Sequence, residues 1–160
     1  MLFVEINHKE IDMFASDYRV IALDVGDVRV GVALSDPSCQ FALPHSTLVR
    51  KGPEVFKKIF EIIKQNHAAD IIIGLPLELS GEEGEQAGKV RLFVKALQKF
   101  LADKMEAEPN VVFWDERLTS VQAERLVAGS GLKNRSRRAA LDRISAAIIL
   151  ESYLQSRPEK

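Results

Sequence analysis

The 160-residue sequence predicts an α/β fold with a mixed sheet of five strands. Three antiparallel strands come first, two parallel strands follow, and helices cover both faces. Three observations predict it. The stretch "YRVIALDVGDVRVGVALSDP" holds two apolar runs around Gly26-Asp27, a turn suited to a tight hairpin. Two short and wholly apolar runs, in "ADIIIGLP" and "NVVFW", read as strands buried on both faces. Each of these is followed by a helical pattern, so the second half alternates strand and helix, which implies parallel pairing through right-handed crossovers.

Taken in order, the first two strands run over about 19–24 and 29–35, and "HSTLVR" at 45–50 is a third. Gly52-Pro53 opens a helix in which Val55, Phe56, Ile59, Phe60, Ile62 and Ile63 share a face. The buried strand ending at Gly74-Leu75-Pro76 leads into the polar loop "ELSGEEGE". The next helix carries Val90, Phe93, Val94, Leu97 and Leu101 at helical spacing. After "NVVFW", Thr119 and Gln122 form a capping box for a helix of about ten residues that stops at Gly129-Ser130-Gly131. A basic loop, "LKNRSRR", then precedes a last helix over about 137–155 that is apolar nearly all round and therefore buried.

Composition narrows the function. A chain that is 46% hydrophobic and 28% charged is an ordinary globule with one core, here a domain over 19–157 preceded by an extension at 1–18. The net charge of -1 gives no global attraction to nucleic acid, so such a site must be a local patch. A single cysteine, Cys39, excludes an internal disulfide framework and fits a reducing compartment. No run approaches the ~20 apolar residues of a membrane span, and the N-terminus lacks a signal-peptide layout. The expectation is a cytoplasmic protein with no membrane partner. His8, His45 and His67 show no ligand spacing, and "GLPLELSGEEGE" has no lysine in P-loop register.

The acids carry the chemistry. Asp24 ends the first strand, Asp115 and Glu116 end the last, and Asp142 lies on a packed stripe near the start of the last helix. Ligands of such sheets gather beyond the carboxyl ends of the parallel strands. If the first and last strands are neighbours, their acids meet at one edge. Each acid also has a plain reading: an Asx-turn at Asp24, helix-start acids at Asp115, Glu116 and Asp142. Together they make a hard, oxygen-rich site that suits Mg²⁺ or Mn²⁺, one ion or two. Lys133, Arg135, Arg137, Arg138 and Arg143 form a basic run beside Asp142, either a solvated loop or a phosphate-binding patch. Arg29 and Arg117 sit next to two of the acids, as ion-pair partners or phosphate clamps. Trp114 reads as core, so recognition by shape and backbone is expected.

Four segments, "IALDVGDVRVGVALSD", "IIIGLPLELSGEEGEQAGKVRLFVKAL", "DERLTSVQAERLV" and "ALDRISAAIILESYL", resemble the YqgF or RuvX family, from about Arg19 to Leu154. The resemblance implies an RNase H-like three-layer fold related to the RuvC junction resolvase. It implies a nuclease that processes the 5′ end of pre-16S rRNA, with ribosomal precursor particles as partners. It assigns carboxylate roles to Asp24, to Asp115 or Glu116, and to Asp142, and matches Arg29 and Gly74-Leu75-Pro76 to family positions. The long segment before Asp24, and Val25 and Asp27 beside it, depart from the family pattern. Two alternatives stand beside this reading, a Holliday-junction resolvase acting on branched DNA and a non-catalytic nucleic-acid-binding module of the same fold. A monomer and a homodimer are both compatible with the sequence. An actin-like ATPase, which the first segment also resembles, needs two such domains.

Overall fold

The structure is a computed structural model that describes residues 18–117, 119–128, 130, 131 and 133–157. The expected extension lies outside the described residues except for Tyr18. Nine elements follow in order: β1 (Arg19–Val25), β2 (Arg29–Ser35), β3 (Ala42–Val49), α1 (Glu54–Gln65), β4 (Ala68–Leu75), α2 (Glu85–Ala102), β5 (Asn110–Asp115), α3 (Thr119–Val127) and α4 (Asn134–Ser156). The sheet order is β3-β2-β1-β4-β5. β1 pairs antiparallel with β2, and β2 with β3, while β1–β4 and β4–β5 are parallel.

The strands alternate their side chains between two unlike faces. One face presents large residues, among them Ile21, Leu23, Val32, Ile71 and Ile73, against Ile59 and Ile63 of α1 and Val94, Leu97 and Leu101 of α2. Phe56 joins the two helices, its ring 5.1 Å from that of Phe93. The other face presents Val20, Ala22, Ala33 and Ile72, mostly small residues, to Ala146, Ala147, Ile149 and Leu150 of α4. Small side chains let α4 lie close to the sheet. The extreme case is Gly31 in β2, where an added Cβ would overlap the backbone carbonyl of Asp142. Thr47 of β3 fixes the same end of the helix by donating its hydroxyl to the Ala139 carbonyl at 2.6 Å.

Three expectations are corrected. β1 and β5 are not neighbours, because β4 lies between them; the βα units wind outward from β1, so each new parallel strand joins the free edge. The last helix begins at Asn134, not near 137. Arg135, Arg137 and Arg138 are therefore helical, since Arg and Ala favour helix and nothing in "NRSRRAAL" interrupts it. Asp142 consequently stands in the third turn rather than at the helix start. The connection before it turns at Gly131, whose φ is +67°. The third strand also begins earlier than expected, at Ala42. The expected Thr119 cap involves a side chain outside the described residues.

Gly31→Ala tests the close approach of α4. A forced backbone shift of this kind costs about 1–3 kcal/mol, so the urea midpoint should fall well below that of the parent with an unchanged m-value. A midpoint within error of the parent would show that α4 does not press on β2.

Candidate active site

The site is built on one row across the sheet. Asp24, the penultimate residue of β1, faces Gly31 of β2 in the antiparallel register. On its other side, one step beyond the Leu23–Ile73 pair, lies Gly74 of β4, which pairs in turn with Trp114 of β5. By alternation this row faces α4. Asp24 is thus flanked by two residues without side chains. The Gly31 side admits the α4 backbone at Asp142. The Gly74 side admits Glu116, whose carboxylate fills the space a Cβ on Gly74 would take. The Glu116 amide extends the parallel ladder by donating to the Leu75 carbonyl at 3.3 Å, which fixes the direction of its side chain. An acid two strands away thereby reaches Asp24 across β4.

The electrostatics follow from this crowding. Asp24 is pushed up to about 6, first by burial and then by the Asp142 charge, against a hydrogen bond from Glu116. Glu116 is pushed up to about 8 by burial, by the charges of Asp24 and Asp115, and by its hydrogen bond to Asp24. Both shifts run upward first because burial disfavours the charged forms and then because neighbouring carboxylates add their repulsion, so the pair retains a proton. Asp142 is ion-paired with Arg29, whose Nε donates to Oδ2 at 2.5 Å. Asp115 alternates away from the row and is held by Arg117 through Nε at 2.8 Å and the backbone amide at 3.0 Å. The Arg117 hydrogen bond, against a small opposing effect of burial, keeps the Asp115 carboxyl below its ordinary range.

The structure therefore separates the sequence candidates. Asp24, Glu116 and Asp142 converge, while Asp115 does not join them. Arg29 and Arg117 are ion-paired, to Asp142 and Asp115. Lys133, Arg135, Arg137 and Arg138 are exposed and Arg143 is half-buried. At about 100° per residue, Arg135 and Arg138 share the helical stripe of Asp142, and Arg137 lies well off it. Two features were missed. Gly31 and Gly74 were not seen as doors for other groups, though a glycine inside an apolar strand is the signal of such an approach. Trp114 is half-buried at the margin of the α4-side core, against which it packs, with its indole N–H donating to the Ser152 hydroxyl at 3.1 Å. No Asx-turn bond from Asp24 occurs among the described contacts.

The three convergent acids form an all-oxygen donor set, the chemistry a hard divalent cation takes. Among the described residues no three potential ligands are already closed around one point.

A family model described as "RuvX: Holliday junction resolvase" matches residues 18–156. The chain belongs to the RuvX family. Relatives named "Putative pre-16S rRNA nuclease" include one from Caldanaerobacter subterraneus, 42% identical over 140 residues, covering 86% of this chain and 96% of the relative. Another, from Desulforudis audaxviator, is 40% identical over 140 residues, covering 87% and 95%. A third, from Chloroflexus aurantiacus, is 37% identical over 143 residues, covering 89% and 90%. Among solved structures, Thermus thermophilus RuvC in complex with a Holliday junction substrate superposes with a TM-score of 0.51 at 16% identity, covering 87% of this chain and 97% of that one. The RuvX chain thus has the RNase H-like fold.

The raised carboxyls set a pH dependence for the metal-free RuvX protein. Their folded pKa values exceed the unfolded values of about 4. The folded chain then holds more protons than the unfolded one between about pH 4 and pH 8, and stability falls as pH rises through that window. Asp115, shifted downward, acts only below it. Denaturation in chelator at pH 5 and pH 9 should show a loss on the order of 2 kcal/mol. Glu116→Gln should remove most of it. An unchanged slope in that variant would show that the two acids do not share a proton.

Proposed function

We propose that the chain is a metal-dependent nuclease that hydrolyses phosphodiester bonds, with the 5′ end of pre-16S rRNA as its natural target. The observation that carries the reading is the passage of Glu116 over Gly74 to reach Asp24, with Asp142 brought up behind by Gly31. Three acids on three separate elements do not crowd into a half-buried corner for stability, because burial, and after it their mutual repulsion, raises two of their pKa values. The names of the relatives agree with the chemistry, and hydrolysis of an ester bond is the activity they are named for.

In this reading Asp24, Glu116 and Asp142 hold one or two Mg²⁺ or Mn²⁺, which supply a water activated for attack and charge neutralisation at the phosphate. The chain's own residues do the rest. Arg29 orients the Asp142 carboxylate through its ion pair. Burial by α4 and the strand ends keeps bulk water from screening the acids. Arg135 and Arg138, on the stripe of Asp142, meet the sugar-phosphate backbone, with Lys133, Arg137, Arg143 and the outer N–H groups of Arg117 extending the track. Asp115 fixes Arg117 and is a positioning residue.

A second reading, junction resolution in branched DNA, is favoured by the description of the family model. It calls for a homodimer, since two opposed strands must be cut by two sites; a monomer suffices for rRNA trimming. Among the described residues no helix is long and apolar enough to cross a membrane. We place the protein in the cytoplasm, acting on ribosomal precursor particles.

Asp24→Asn tests the reading on a pre-16S fragment and a synthetic four-way junction side by side, each with Mg²⁺ and with Mn²⁺. Cleavage should fall by about 10²–10³-fold with nucleic-acid binding retained. Mn²⁺ at about 100 times its dissociation constant should stabilise the parent by roughly 2.7 kcal/mol, read as a rise in Tm, and should not shift the variant. A variant that cuts like the parent and gains the same Tm would dismiss the carboxylate site.

A further inference from the structure

Beside the carboxylates, and sharing none of Asp24, Glu116 or Asp142, the surface opens into a cleft of about 780 Å³. Its floor is the Trp114 indole and Ile148. Its polar lining comprises Gln122, Ser152 and Gln155 together with the Glu151 carboxylate, which can accept from a base's amino group. Over it stands Leu79, 98% exposed at the tip of the loop after β4. That loop is not slack: Leu77 bridges to Glu83, and the Glu78 amide donates to the Glu82 carbonyl at 2.8 Å. An apolar side chain is thus held out in water above an apolar floor. The volume falls in the range of sites that take small planar ligands.

We propose that this cleft is a nucleobase subsite, which seats an unpaired base of the substrate strand next to the cleavage point. The inference rests on the nuclease reading and names how that site engages its substrate. Three features commit the occupant. The cleft begins where the carboxylate corner ends, because it is bounded by Asp115 and Arg117, which flank Glu116 in the chain, and by Ile149, which packs against Gly74. Ile149 lies two helical turns from Asp142 on the same stripe of α4, about 10 Å along the axis. A strand whose phosphate lies at the acids therefore runs its neighbouring nucleotide over the cleft. The chemistry of the walls suits a base: a half-exposed indole and an aliphatic lid offer its faces contact, while two carboxamides and a hydroxyl can donate to and accept from its edge. The Trp114 ring is already braced for such contact, edge-on against Tyr153 with centroids 5.5 Å apart and its N–H held by Ser152. A duplex with all bases stacked could not fill this cleft, so the subsite selects single-stranded or splayed nucleic acid.

Trp114 is the sole tryptophan, so its fluorescence reports on this cleft directly. The full chain carrying Asp24→Asn is titrated with a short single-stranded oligoribonucleotide and with a strand of equal length and charge whose sugars carry no bases. Anisotropy of a terminal dye reads total binding; tryptophan emission reads the cleft. The base-bearing strand should bind about tenfold more tightly and quench Trp114, and the baseless strand should bind without quenching. Ser152→Phe, which fills the cleft, should erase that preference, and Gln155→Leu, which removes a polar partner for the base edge without changing charge, should lower it. Both should leave binding of the baseless strand as it was. Equal binding of the two strands with no change in emission overturns the subsite while the nuclease reading stands. Failure to bind either strand overturns both.

Discussion

Everything at this site depends on two missing side chains. Asp24 lies in a sheet row between Gly31 and Gly74, and each glycine yields its space to a group from elsewhere in the chain. One space is taken by the backbone of α4, which sets the height of the helix above the sheet and so brings Asp142 near Asp24. The other is taken by the Glu116 carboxylate. With a methyl at either position, the helix would ride outward or the glutamate would turn away. The row thus converts a topological obstacle, the strand between β1 and β5, into a channel for contact.

Bringing acids together this way raises their free energy, and the surrounding charges show where the strain is relieved. Asp142 and Asp115 each have an arginine from the same local chain segment or the facing strand. Among the described residues Asp24 and Glu116 have none, and the buried pair retains a proton. The chain as a whole is nearly neutral, at -1, so no long-range field is available to draw in a polyanion. Attraction must come from the arginines within a Debye length of the site, roughly 10 Å at moderate salt. The first turns of α4 supply them. Because Arg135, Arg138 and Asp142 share a stripe, one helix brings cations and an acid to the same side, as the proposed nuclease reading requires.

The sheet and its acids were legible in the sequence because they rest on local rules. Apolar runs ended by turn residues mark β1, β2, β4 and β5, and strand alternation with helices fixes their directions. Which strand lies beside which was not legible. Adjacency of β1 and β5 looked sufficient to join their acids, and only coordinates show β4 between them. The start of α4 was also misplaced, since a run of arginines reads as a loop by charge and as a helix by propensity, and propensity prevails here. Choosing between Asp115 and Glu116 needs the register: Glu116 follows the strand's last paired residue and turns back over Gly74. Trp114 was misjudged for a related reason. Hydrophobicity predicts that a tryptophan in a strand is buried, but β5 is the edge strand of the sheet and its outer side has no neighbour.

The two faces of the sheet divide the work of the protein. The face under α1 and α2 is filled with isoleucine, leucine, valine and phenylalanine, and it contains no ionisable group in its buried cluster. Its burial supplies the hydrophobic free energy that allows the other face to be imperfect. The α4 face is thinner, built on alanine and glycine, and covered by one long helix whose ends differ: exposed and basic at the start, packed from Ala140 onward. A thin layer brings backbone and carboxylates close, and it also leaves space past the end of β5 that no side chain fills. The cleft beside Trp114 is that space. The small residues that assemble the acids and the cleft proposed to receive a base are therefore two consequences of the same choice, a helix laid close against one half of a sheet.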